Sequence, residues 1–251
     1  MAHDLRLTYV GHATVLLEID GVRILTDPIL RDRLGPLRRA GPTPIPAELG
    51  SIDAVLVSHG HPDHFDRVSL RGVAGDPLMV VPASMGRATA GTGHATREVT
   101  ANQSVDVGGV RITAVPARHG RWPVHRAARP LGFLIEGSRS VYFAGDTAIF
   151  PGMAQLAGRV DVALLPVGRW GPPRGPDRLT PASAVDAALL VGARVAVPIH
   201  WGTLYIPGFH QGRWGWGSFG AGEAFADEGS RRAPDLEIVV LQPGEGRELA
   251  P

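Results

Sequence analysis

Six consecutive residues, His59-Gly60-His61-Pro62-Asp63-His64, concentrate most of the metal-capable chemistry of this chain. Three imidazoles and a carboxylate suit Zn²⁺ or a similar borderline cation, and no thiolate is needed. The order H-x-H-x-D-H arises by chance in roughly one chain in a thousand of this composition, so a polar loop with accidental histidines explains it poorly. The loop follows Asp53-Ala54-Val55-Leu56-Val57, a short apolar run that reads as a buried strand. A strand end is a rigid platform, and a loop carrying Gly and Pro can turn several side chains toward one point.

One loop rarely completes a hydrolytic site, so further donors are expected where other strands stop. His119 follows the run Ile112–Val115, Asp146 follows Val141-Tyr142-Phe143-Ala144, and His200 follows Val195–Ile199. Each alone reads more simply as a capped loop residue. Beside the His59–His64 cluster, all three read as ligands.

Composition narrows the alternatives. The chain has no Cys, and all 25 of its Lys+Arg residues are Arg. Thiolate nucleophiles, Cys-ligated zinc, iron–sulfur clusters, Schiff-base lysines and P-loop lysines are therefore excluded. A net charge of +1 gives no general pull toward nucleic acid or an anionic membrane. Neither a signal peptide nor an 18-residue apolar run is visible, and the expectation is a cytoplasmic protein.

The elements that must carry the donors are mostly strands. Leu5–Val10, Thr14–Ile19 and Val22–Thr26 are β-rich runs, with Asp20-Gly21 as a hairpin signal. Ile29 to Leu49 is rich in proline and reads as a long loop, and a helix is expected from Asp66. Met79–Pro82 reads as a strand with a weak helix after it. Val105–Val107, Val110–Val115, Gly132–Glu136 and Ser140–Ala144 form a second meander, and Val160–Val167 and Arg194–Ile199 are further strands. Thr180 is a suitable N-cap with Pro181 in the first turn of a late helix. Two strand-rich halves, each followed by helices, predict two packed sheets with helices outside, as one domain over residues 1–251.

The order of these motifs resembles the metallo-β-lactamase superfamily over nearly the whole chain. Val10-Gly11-His12-Ala13-Thr14, Leu25-Thr26-Asp27-Pro28, Ala144-Gly145-Asp146-Thr147 and Ile199-His200-Trp201-Gly202 resemble, more narrowly, its ascorbate-6-phosphate lactonase-like and N-acylphosphatidylethanolamine phospholipase D-like branch. The resemblance implies an α+β fold, an αββα sandwich of two mixed sheets, with the site at one edge. It also implies two divalent metal ions: His59, His61 and His119 on the first, Asp63, His64 and His200 on the second, and Asp146 between them. Zn²⁺ is the expected metal, and the same donors accept Mn²⁺ or Fe. A water between the ions would act as nucleophile near neutral pH, with Asp63 and Asp146 as the catalytic carboxylates.

Other residues fit around this set. Asp27 either orients a ligand or touches metal, or else forms a turn before Pro28; Asp66 either accepts a ligand N–H or caps a helix. His12 is either a buried, hydrogen-bonded histidine or a site residue. Arg118, Arg121, Arg126 and Arg129 surround His119, and Arg118 is the expected substrate contact. Trp201, also expected at the substrate, opens an aromatic stretch through Phe209, Trp214, Trp216 and Phe219 that is either an apolar rim or a packed cap. The branch tends to carry a His shortly before the Pro of the late helix, where this chain has Arg178-Leu179-Thr180-Pro181.

The expected function is hydrolysis of a small or medium anionic ester, a phosphodiester or a lactone. The alternatives are a β-lactam or thioester hydrolase and a non-catalytic metal-binding or sensor protein. Neither nucleic acid nor an integral membrane is expected as a partner, while a homo-oligomer is compatible with the sequence.

Overall fold

A computed structural model describes residues 5–120, 128–168, 177–208 and 219–249. The N-terminal half contains β1 (Leu5–Gly11), β2 (Thr14–Ile19), β3 (Val22–Thr26), β4 (Arg33–Leu34), β5 (Leu37–Arg39), β6 (Ala54–Leu56), α1 (Arg67–Arg71), β7 (Leu78–Pro82) and β8 (Thr96–Val99). The remainder contains β9 (Ser104–Val107), β10 (Val110–Pro116), β11 (Leu131–Glu136), β12 (Ser140–Phe143), β13 (Val162–Pro166), α2 (Pro181–Val191), β14 (Val195–Ile199), β15 (Leu204–Tyr205), α3 (Ala221–Arg232), β16 (Glu237–Ile238) and β17 (Gly246–Leu249).

Two seven-stranded mixed sheets result, in the orders β17-β1-β2-β3-β6-β7-β8 and β16-β14-β13-β12-β11-β10-β9. The two-residue period of a strand sorts side chains between layers. In β6, Ala54 and Leu56 enter the large core shared with Phe133, Ile135 and Tyr142, whereas Val55 turns to the opposite face. That opposite face packs Leu25, Met79 and Val81 against Phe65 and against Leu70 of α1. Helices α2 and α3 contribute Val185, Ala188 and Phe225 to the large core from the far side of the second sheet. The architecture is the expected αββα sandwich. Burying each such Leu, Val or Phe contributes about 1.5–3 kcal/mol, which is why strands this short hold.

Local signals set the joints. Asp20 and Gly21 both take positive φ in the β2–β3 hairpin, the backbone that a two-residue turn of the primed type requires. Thr180 accepts from Ser183 N and Ser183 Oγ accepts from Thr180 N, a complete capping box, and Gly192 closes α2 at φ 68°.

Two expectations are corrected. The segment Ile29–Leu49 is not one loop, because β4 and β5 form a hairpin that β15 joins into a three-stranded sheet. No helix follows β7; hydrogen-bonded turns around Ala88 and Thr92 lead instead into β8. Among the described residues, no helix is long and apolar enough to cross a membrane.

Candidate metal centre

The donors gather where strands of both sheets end. His59, His61, Asp63 and His64 lie in the loop after β6; His119, Asp146 and His200 follow β10, β12 and β14. Three imidazole nitrogens face one another, with His59 Nε2 and His119 Nε2 at 2.9 and 3.2 Å from His61 Nδ1. Beside them, Asp63 Oδ2 stands 3.4 Å from His64 Nε2 and 3.6 Å from His200 Nε2. Asp146 addresses both groups: Oδ1 is 3.3 Å from His200 Nε2 and 3.6 Å from His64 Nε2, and Oδ2 is 3.6 Å from His119 Nε2.

These separations suit metal. A tetrahedral site with bonds of about 2.0–2.1 Å has ligand–ligand edges of about 3.3 Å. Among the described residues, the centre also holds buried atoms with no hydrogen-bond partner: His64 Nε2, Asp146 Oδ1, His200 Nδ1 and His200 Nε2. An unpaired buried polar atom is costly, and three of these, His64 Nε2, His200 Nε2 and Asp146 Oδ1, lie close enough together to share a cation.

The rings are aimed by their other nitrogens. Asp27 Oδ2 accepts from His64 Nδ1 at 2.7 Å, which turns His64 Nε2 inward. Ser58 Oγ has one proton and gives it to Asp27 Oδ2 at 2.5 Å. The same hydroxyl therefore accepts from His59 Nδ1 at 2.9 Å and leaves His59 Nε2 free to bind. His119 Nδ1 donates to the backbone carbonyl of Asp177 at 3.1 Å.

Electrostatics agree with this geometry. Burial raises the Asp63 carboxyl, yet His64, His12 and His200 outweigh it and hold Asp63 well below the carboxylate range. Burial raises Asp146 too, but His200, His64 and His119 pull it well below. Burial opposes charge on His64, but Asp63, Asp146 and Asp27 prevail and raise its pKa well above the ordinary value. His59 and His61 are lowered, chiefly by burial, and are neutral donors. The three carboxylates thus call for a positive charge, which a proton or a metal ion can supply.

Comparison with known proteins is consistent with this arrangement. The family model described as the beta-lactamase superfamily domain matches residues 22–201. The chain belongs to the metallo-β-lactamase superfamily. Within that superfamily it falls in the UPF0173 family. It is 33% identical over 256 residues to a Methanopyrus kandleri UPF0173 metal-dependent hydrolase, covering 97% of this chain and 100% of that protein. It is 30% identical over 246 residues to a Pyrococcus furiosus UPF0173 protein, covering 98% and 100%. A Mycobacterium tuberculosis protein is 35% identical over 223 residues, covering 80% of this chain, which spans 60% of that relative. Among solved structures, a metallo hydrolase of Ignicoccus hospitalis has a TM-score of 0.74 at 23% identity, covering 98% of both chains. An isothiocyanate hydrolase from Delia radicum gut bacteria has a TM-score of 0.77 at 19% identity, covering 98% and 100%. These two structural likenesses concern the fold.

The superfamily framework leaves individual residues to the structure. Asp66 does not orient a ligand: its Oδ2 caps α1, accepting from Ser69 N at 3.0 Å and from Ser69 Oγ at 2.6 Å. Trp201 does not face substrate; it is 3% exposed, donates Nε1–H to the Pro198 carbonyl and stacks on Tyr9 with ring centroids 6.2 Å apart. Arg118 is exposed beside His119, with its backbone held by Thr147 Oγ1 and Ala148 N. Arg121, Arg126, Phe209, Trp214 and Trp216 lie outside the described residues. Sequence reasoning missed Ser58, although a polar residue between a buried strand and the first ligand was a visible signal. It also missed the Asp177 carbonyl, for which sequence carries no signal at all.

Proposed function

We propose that the chain is a dinuclear metal-dependent hydrolase of a small or medium anionic ester, a phosphodiester or a lactone. His59, His61 and His119 would hold one divalent ion, and Asp63, His64 and His200 the other. The observation that carries this reading is Asp146, whose two carboxylate oxygens face the two groups separately. Two ions held there would supply Lewis-acid polarisation of the ester and a nucleophile at neutral pH. The protein's part is to aim the donors: Asp27 and Ser58 orient His64 and His59, and the Asp177 carbonyl orients His119.

Charge bears on substrate class. Imidazoles that bind metal are neutral, so two dications would carry +4 against the −3 of Asp27, Asp63 and Asp146 and would leave the site net positive before a hydroxide forms. An anionic group, or an oxygen gaining negative charge, is favoured there. Arg118 is exposed beside His119, and its guanidinium would meet such a group. The likeness of Val10–Thr14 and Leu25–Pro28 to the lactonase-like and phospholipase D-like branch supports an ester over an amide.

Elemental analysis of the reconstituted protein should find two metals per chain, with turnover of chromogenic phosphodiesters or lactones. Asp146→Ala should abolish that turnover while the chain still unfolds cooperatively. One metal or none per chain refutes the dinuclear reading. Turnover confined to β-lactams or thioesters reassigns the substrate, and two metals without turnover favour a binding protein.

A further inference from the structure

His12 is buried at 2% exposure and touches two of the three donors proposed for the second ion. Its Nε2 lies 2.9 Å from Asp63 Oδ2, and its ring centroid is 3.9 Å from that of His200. The first contact assigns a proton. A carboxylate oxygen only accepts, so His12 Nε2 must carry hydrogen and donate it. A nitrogen committed in that way offers no lone pair to a metal, and His12 is thus distinct from His64 and His200.

The second contact fills a gap. His59, His64 and His119 each have a hydrogen-bonded nitrogen that sets the ring, to Ser58, Asp27 and the Asp177 carbonyl. Among the described residues, neither nitrogen of His200 has such a partner. The His12 ring lies against that of His200, tilted from it by 43°, and the two backbones are joined by His200 N donating to the His12 carbonyl at 2.6 Å.

The chain sustains an unusual backbone to put His12 there. His12 has φ 59°, and its partner His200 has φ 63°. Left-handed non-glycine residues cost energy and persist where the surroundings over-determine them. Here Thr203 Oγ1 accepts from His12 N at 2.8 Å. A Cβ on Gly11 would come within 2.8 Å of Arg39 Nη1 and of Thr203, so only glycine lets the chain through. Arg39 in turn donates to the carbonyls of Val10 and Ile29 from the β4–β5 hairpin.

We propose that His12 is a positioning residue for the Asp63–His64–His200 group: it donates to Asp63, packs on His200 and thereby sets the affinity of the second ion. The proposal rests on the dinuclear reading above. Asn is comfortable at positive φ and too short to reach Asp63, whereas Gln extends an amide N–H to about the place of Nε2. In His12→Asn the second ion should bind roughly 10- to 100-fold more weakly, with the first unchanged. His12→Gln should recover most of that loss.

Titration of the metal-free proteins with Co²⁺, followed by absorption and calorimetry, reads both steps independently of turnover. Thermal unfolding of each metal-free variant reports its fold. Two unchanged binding steps in folded His12→Asn overturn the proposal, as does equal weakening of both steps. If the asparagine variant does not fold, His12→Gln decides: retention of the second step supports the proposal and its loss overturns it. A wild-type chain that binds only one ion refutes the dinuclear reading instead, a separate result.

Discussion

Asp27 shows how much one side chain can settle. It accepts from Ser58 N and Ser58 Oγ and from His64 Nδ1, so a single buried carboxylate governs the ring orientation of one donor in each proposed group. It also lies next to the charge that governs pH behaviour. Because the surrounding carboxylates raise the His64 pKa, His64 holds its proton below that raised value, and an incoming metal ion must displace it. Metal affinity should then be greatest above the raised pKa and fall by about tenfold per pH unit beneath it. Calorimetry in buffers of different ionisation enthalpy would count the proton released; affinity flat with pH would mean that His64 does not bind the ion. At this scale the sequence was legible in its donors and blind to their partners. Asp27 and Asp66 are both acidic residues near ligands, yet only the folded chain brings Asp27 to an imidazole and leaves Asp66 on Ser69.

Among the elements, α2 was readable because its signals are local. Thr180, Pro181 and Ser183 lie within four residues, and they form the capping box and first turn. Thr180→Ala should therefore lower unfolding stability by about 1 kcal/mol, measured as a shift in denaturant midpoint at constant slope. The β4–β5 hairpin was not readable. Its strands are two and three residues long, Gly35-Pro36 lies between them, and the strand that completes its sheet, β15, comes only after His200. Local pattern cannot report a partner so far along the chain. Trp201 failed for the same reason: next to a ligand and inside a Gly-rich stretch it resembles a rim, and Tyr9, from the opposite end of the sequence, makes it part of the core.

For the whole molecule, the centre lies where the two sheets meet. The first sheet leads into the His59–His64 loop and the second into His119, Asp146 and His200. Ions held by both sets would fasten the sheets to each other. An ion present at about 1,000 times its dissociation constant adds about 4 kcal/mol to the folded state. For a chain of this size that corresponds to roughly 10 °C in melting temperature. Calorimetric scans with and without a chelator test this, and an unchanged transition would mean that no ion spans the seam. The strand pairing carries a different consequence. β17 is the last of the described strands, yet it pairs with β1, Leu249 opposite Leu5 and Gly246 opposite Thr8. The N-terminal sheet therefore stays incomplete until residues 246–249 have been synthesised. During that interval the free side of β1 presents unpaired amides and carbonyls to any neighbouring strand, so nascent or C-terminally clipped molecules carry the aggregation hazard that the finished molecule covers.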